Sequence, residues 1–231
     1  MPEIATSSRP AAIAEIYRDK PSGYFGSSRP DIVDLLQTGP QSSILELGCG
    51  AGGTGRAAMA AGKAGRYVGI ELDERAAAIA SQHLSEVLVG DVADAERVKL
   101  GPLEGTFDAL IISEVLEHLT DPWTTLAALV RCLKPGAAVF ASSPNIAHWY
   151  ILRDLWRGRF VYAEVGPMDK THLRWFTPDS YSEMFEAAGV EVLNVRALAP
   201  LGWKARTFDS LTGGRFRHLF MAQIMLTGRR R

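Results

Sequence analysis

"ILELGCGAGGTG", residues 44–55, decides how the rest of the chain is read. An apolar run ends at Leu47, and a glycine-rich turn opens into the alanine-rich segment that follows. Gly48, Gly50 and Gly52 let the main chain turn tightly and approach a ligand at distances a side chain would forbid. The same letters, taken as Gly48, Gly50 and Gly53 with Glu71 about twenty residues on, also fit a dinucleotide fingerprint. The loop alone therefore leaves two kinds of ligand open.

Three features count against a nicotinamide enzyme. Glu46 stands two residues before the first glycine. A pyrophosphate would meet repulsion there, whereas a positively charged amino group would find a partner. Asp91, in "VGDVAD", closes a later apolar run and is placed to accept from an adenine amino group. The second half of the chain has no residue set suited to hydride transfer.

Outward from the loop, strand and helix patterns alternate, which predicts a parallel sheet with helices on both faces. Buried strands are expected at "SSILELG" ending at Gly48, at 66–71, 86–91, 107–113 and 136–143. Helices are expected over "TGRAAMAAG", "DERAAAIASQHL" and "DPWTTLAALVRCL", the last with Asp121 and Pro122 as cap and first-turn pair. Residues 144–176 break the rhythm, being rich in aromatics and arginines with poor periodicity. Thr177, Pro178 and Gly189 then frame another helix. "VEVLNVRAL" and "HLFMAQIMLTG" suit a closing antiparallel pair.

A chain of 231 residues with 47% hydrophobic content can bury one sizeable core, so a single domain over 1–231 is expected, with a cap region at 1–42 and an acceptor lid at 144–176. No membrane-length apolar run or secretory leader is read, and the expected location is cytoplasmic. Cys49 and Cys132 form no metal or redox spacing and read as reduced thiols. The net charge of −1 hides a basic end, with Lys204, Arg206, Arg215, Arg217, Arg229, Arg230 and Arg231 against Asp209. That end reads as a solvated tail or an anion-binding rim, and the acidic remainder makes nucleic acid an unfavoured partner.

Five segments in order, "ILELGCGAGGTG", "GIELD", "VGDVAD", "FDALIISEVLEHLTDPW" and "LKPGAAVFASSPN", resemble the class I S-adenosylmethionine-dependent methyltransferases. The resemblance implies a Rossmann-like α/β fold, a seven-stranded mostly parallel sheet with its last strand antiparallel, and S-adenosylmethionine as cofactor. It also implies roles. Glu46, Gly48 and Gly50 would meet the methionine part, Glu71 both ribose hydroxyls, Leu72 the adenine face, Asp91 and the Val92 main chain the adenine edge, and Ser113 the sulfonium. The flanks, "YRDKPSGYFGSSRPDIVDLL" and the stretch from 143 to 189, look like a bacterial group linked to surface-polysaccharide and natural-product pathways. In that group Tyr17, Tyr24 and Arg29 would cap the cofactor, with Arg29 facing its carboxylate.

"SEVLEHL", 113–119, gathers Glu114, Glu117 and His118 where an exposed first helical turn or a chemical site would look alike. The segment is similar to one in metal-dependent ribose methyltransferases of small RNAs, with His172 of "THLRWFT" as a further ligand. The simpler expectation is metal-free. His118 or His172 acts as base, and His148 lies with them in a pocket alongside Trp149, Tyr150, Tyr162, Asp169, Arg174 and Trp175. An amine acceptor need only be neutral, whereas a hydroxyl must lose its proton. O-methylation of a small-molecule hydroxyl, on a sugar or a natural-product intermediate, leads. N-methylation and an inactive cofactor-binding regulator are the alternatives, and a homodimer is a further expectation.

Overall fold

The computed structural model describes residues 28–94 and 98–231, which fall into two compact units divided after Lys99. Tyr17 and Tyr24, with most of the expected 1–42 cap, lie outside the described residues.

The first unit contains α1 (Pro30–Leu35), β1 (Ser43–Leu47), α2 (Gly53–Ala60), β2 (Arg66–Glu71), α3 (Glu74–Ala80) and β3 (Glu86–Val89). β1 pairs parallel with β2, and β2 with β3. From Ile44 to Leu47 and from Tyr67 to Glu71 every residue is buried, the continuous apolar reading of strands covered on both faces. α3 begins where expected, because the Asp73 carboxylate accepts from Ala76 N at 2.8 Å. It ends at Ala80, four residues before the expected Leu84.

The second unit contains β4 (Phe107–Ser113), a 3₁₀ turn at Leu116–His118, α4 (Pro122–Arg131) and β5 (Leu133–Pro144). It continues with α5 (Trp149–Trp156), α6 (Pro178–Ala187), β6 (Val190–Ala197), α7 (Trp203–Leu211) and β7 (Gln223–Arg230). β4 and β5 are parallel, while β7 runs antiparallel to both β5 and β6. The strand order is β3-β2-β1-β4-β5-β7-β6, the mostly parallel seven-stranded sheet with an antiparallel last strand that the motifs imply.

α6 is written locally. Thr177 and Ser180 form a reciprocal capping box, Pro178 occupies the first turn, and Gly189 follows at φ 91°. Two features depart from the sequence expectation. α5 lies inside the segment read as aperiodic; Trp149, Leu152 and Trp156 do recur there at helical spacing, but with Leu155 they stay exposed, and the buried residues reduce to Ile151. Part of the basic end is held in place rather than frayed. Arg229 donates to Glu191 at 2.7 Å, Arg230 donates to the carbonyls of Arg131 and Leu133, and Arg217 grips Asp209 at 2.8 Å. α7 occupies part of the gap between β6 and β7, and β7 begins at Gln223, five residues beyond His218.

Candidate active site

In the first unit the glycine loop is a run of left-handed main chain. Gly48, Gly50 and Gly52 have φ of 71°, 53° and 80°, a conformation that disfavours any Cβ. Gly48 N donates to Ile70 O at 2.8 Å, tying the loop to β2. Gly69 makes room beneath it, since a Cβ there would lie 2.4 Å from the Cys49 sulfur.

Glu71 closes the same loop from the end of β2. Its Oε2 accepts from Gly50 N at 2.8 Å, and its Oε1 accepts from Leu72 N and Asp73 N at 2.8 and 2.9 Å. Burial raises its pKa, and the three amides oppose that shift. The clasp on Gly50 is a role that the spacing of a strand-end acid does not announce. Glu46 is deeper still. Tyr67 donates its hydroxyl to Oε2 at 2.9 Å, a Thr54 hydroxyl bond assists, and burial nevertheless pushes the pKa up to about 7.

Arg29, expected to face a carboxylate of the cofactor, holds Asp31 in a bidentate fork at 2.9 and 2.8 Å. Its main-chain N donates to Thr54 Oγ1 at 3.2 Å. Asp91 Oδ1 accepts from Ala93 N at 2.9 Å and so fixes the bend after β3. Val92 is buried and Leu72 half-buried.

In the second unit Ser113 is half-buried at the end of β4, and Glu114 follows at φ 54°, a left-handed conformation rare for a side-chain-bearing residue. That kink drops the chain into the 3₁₀ turn, so Glu117 and His118 are buried rather than lying on an exposed first helical turn. His172 joins them from the far end of the 144–176 insertion. The two imidazoles stand 4.8 Å apart, edge to face, and candidate ligand atoms of Glu117, His118 and His172 all lie within 4.8 Å of one another. Main-chain bonds from Leu173 N and Arg174 N to Glu117 O, at 2.8 and 3.0 Å, hold the two segments together.

Hydrogen bonds fix how the rings present themselves. His172 Nδ1 faces the Pro167 carbonyl at 3.1 Å, which can only accept, so Nδ1 carries the proton and Nε2 the lone pair. His118 Nδ1 lies 3.3 Å from Thr171 O and 3.1 Å from Thr171 Oγ1, while that hydroxyl donates to Asp169 Oδ1 at 2.7 Å. The same tautomer follows for His118. Glu117 Oε2 accepts from Ser143 at 3.3 Å, but its Oε1 is buried with no hydrogen-bond partner among the described residues. Burial, reinforced by Glu114, drives the Glu117 pKa well above the carboxylate range.

His148, expected beside these histidines, serves elsewhere. It caps α5 through Nδ1, which accepts from Tyr150 N, and burial lowers its pKa. Tyr150 and Ile151 border a cavity of about 160 Å³ with Asp154, Leu155 and Arg159. Tyr162 and Trp175 pack instead around Phe160, with ring centroids 5.2 and 6.0 Å from it. Asp169 orients Thr171, and Arg174 donates to Thr120 O while lying over the Trp123 ring. The aromatic wall read from the sequence is thus divided among several local sites.

A family model described as a methyltransferase domain matches residues 21–195. A ubiquinone biosynthesis O-methyltransferase from Thiobacillus denitrificans is 34% identical over 162 residues, covering 64% of each chain. One of the same name from Aromatoleum aromaticum is 27% identical over 194 residues, covering 78% of this chain and 77% of its own. The chain thus spans a little under two thirds of the first of these relatives. A solved S-adenosylmethionine-dependent methyltransferase from Archaeoglobus fulgidus superposes with a TM-score of 0.64 over 90% of this chain and 97% of its own, at 17% identity. These relatives carry ubiquinone names where the flanking segments led us to expect a polysaccharide or natural-product group.

Proposed function

This chain belongs to the S-adenosylmethionine-dependent methyltransferases, and from that membership we propose that it methylates a hydroxyl on an aromatic ring of a small-molecule acceptor. The cofactor residues of the first unit suit such a donor. The left-handed glycines allow close approach of a ligand to the main chain, and Glu46, desolvated and bonded by uncharged hydroxyls, gains from a cation brought beside it. Arg29, Leu72, Asp91, Val92 and Ser113 complete the proposed cofactor set, with Glu71 both clasping the loop and offering the remaining lone pair of Oε2 to the ribose. Bound there, the cofactor supplies a methyl carbon activated by a sulfonium.

The chain's own chemical task is the proton of the acceptor hydroxyl. A phenolic hydroxyl, with a pKa near 10, lies within reach of an imidazole base, whereas an alcohol on a sugar ring is far less acidic. His118 and His172 each present an Nε2 lone pair, and one of them takes that proton as the oxygen takes the methyl group. The buried pair of imidazoles, each with its proton on Nδ1, carries this reading, and the ubiquinone names of the relatives support the aromatic class. Residues 144–176, which deliver His172, are proposed as the acceptor lid.

One observation favours a second reading of the same cluster. Glu117 has a buried Oε1 without a hydrogen-bond partner among the described residues, and one carboxylate oxygen of Glu117 lies within 4.8 Å of a ring nitrogen of each histidine, a donor set that a divalent cation would satisfy. The experiment that separates the readings follows labelled methyl transfer to a catechol and to a sugar before and after dialysis against a chelator. Transfer to the catechol that survives dialysis supports the metal-free base. Activity lost and restored by one divalent ion assigns the cluster to a metal, and transfer confined to the sugar removes the aromatic assignment.

A further inference from the structure

Tyr67 has no part in the motifs above, yet it is fully buried in β2 and its hydroxyl ends on Glu46 Oε2 at 2.9 Å. Its ring is held from outside. α2 crosses it at Gly55, where a Cβ would stand 2.6 Å from the ring and 2.4 Å from Leu84, so the helix can settle there only without a side chain. The first turn of the same helix supplies Thr54, whose Oγ1 accepts from Arg29 N at 3.2 Å and whose own proton is thereby left for Glu46. Two neutral hydroxyls thus orient one buried carboxylate. Among the surrounding charged and titratable groups, Arg29 favours its ionised form and Glu71 opposes it. The Cys49 thiol beside the loop is itself pushed up by burial, and so stays neutral.

We propose that Tyr67 is a positioning residue for cofactor recognition: its hydroxyl holds the Glu46 carboxylate ready for the ammonium group of the cofactor, and cofactor uptake expels a proton from Glu46 to solvent. This rests on the reading that Glu46 meets that ammonium group. With a pKa of about 7, Glu46 in the free protein is divided between its two forms at neutral pH. An incoming ammonium selects the ionised form, so the proton leaves as the ion pair forms. Tyr67 favours the same form by donating to it, which ties its role to pH and not to packing alone.

Calorimetric titration of the full chain with S-adenosylhomocysteine, from acid to mildly alkaline pH in two buffers of different ionisation heat, tests this. Wild type is expected to release a proton near neutrality and to lose roughly tenfold in affinity per pH unit on the acid side. Tyr67→Phe should bind about tenfold more weakly at neutral pH, and the gap should close at alkaline pH as Glu46 ionises in both proteins. Thr54→Val, which removes the other hydroxyl, should shift the profile the same way and stands in if Tyr67→Phe does not fold. An unchanged profile in these variants, or a loss equal at every pH, overturns the role of Tyr67. Glu46→Gln should bind weakly with little pH dependence on the acid side. If it instead binds and titrates like wild type, the placement of the ammonium at Glu46 fails as well, an outcome distinct from failure of Tyr67 alone.

Discussion

The imidazoles of His118 and His172 meet edge to face at 4.8 Å, one delivered by the turn after β4 and the other by the last residues of a long insertion. Their protons are placed by the Pro167 carbonyl and by Thr171, so both rings offer the same nitrogen to an acceptor.

Replacing by alanine whichever of His118 and His172 takes the proton should lower the turnover of a phenolic acceptor by about 10²- to 10⁴-fold, the usual contribution of a positioned base. Affinity for S-adenosylhomocysteine should change little, because the residues assigned to it lie largely in the first unit. Single-turnover methyl transfer and calorimetry measure the two quantities separately. Wild-type rates in both variants would remove the histidines from the mechanism.

Glu71→Ala should weaken cofactor binding by an order of magnitude or more, because charge-assisted hydrogen bonds are worth about 1.5–3 kcal/mol each. It should also free the Gly50, Leu72 and Asp73 amides that the carboxylate now satisfies. Faster hydrogen exchange at those three positions in the cofactor-free variant checks the clasp independently of binding.

Cofactor-free stability should fall as pH rises from about 4.5 to about 7. The Glu46 pKa is raised from 4.5 to about 7, so in that window the folded chain holds a proton that the unfolded chain has released. The contribution is on the order of 3 kcal/mol, and Glu71 and Glu117 act in the same direction. His148, with its pKa lowered, opposes the trend just below the ordinary histidine range. Denaturant titrations across this window should show the decline in wild type and a shallower one in Glu46→Gln.

Gly55→Ala should destabilise the chain by about 1–3 kcal/mol, the usual penalty for overpacking, because the new methyl would stand 2.4 Å from Leu84 and 2.6 Å from the Tyr67 ring. Thermal melts of the two proteins provide the comparison. An unchanged midpoint would mean that α2 can shift off Tyr67 without loss.

Much of the architecture is decided by residues acting on their own neighbourhood. Left-handed glycines at 48, 50 and 52, the Thr177 and Ser180 capping box, the Asp73 and Asp121 caps and the unbroken apolar strands are local conformational preferences, legible wherever they occur. α5 escaped the sequence reading because it is short and set among scattered aromatics and arginines, although Trp149, Leu152 and Trp156 do recur at helical spacing on an exposed face. The chemistry was decided otherwise. Whether "EVLEHL" opened an exposed helix or a buried site depended on the left-handed turn at Glu114 and on where a distant insertion returned its histidine. Whether Glu46 was an ordinary acid depended on a tyrosine across the β1–β2 pair and on the water its burial removed. Contacts between residues far apart in sequence, and the desolvation that accompanies them, exist only once the chain has folded. The sequence by itself therefore determined the sheet and its glycine loop, while only the tertiary structure decided which acids and histidines share a buried environment.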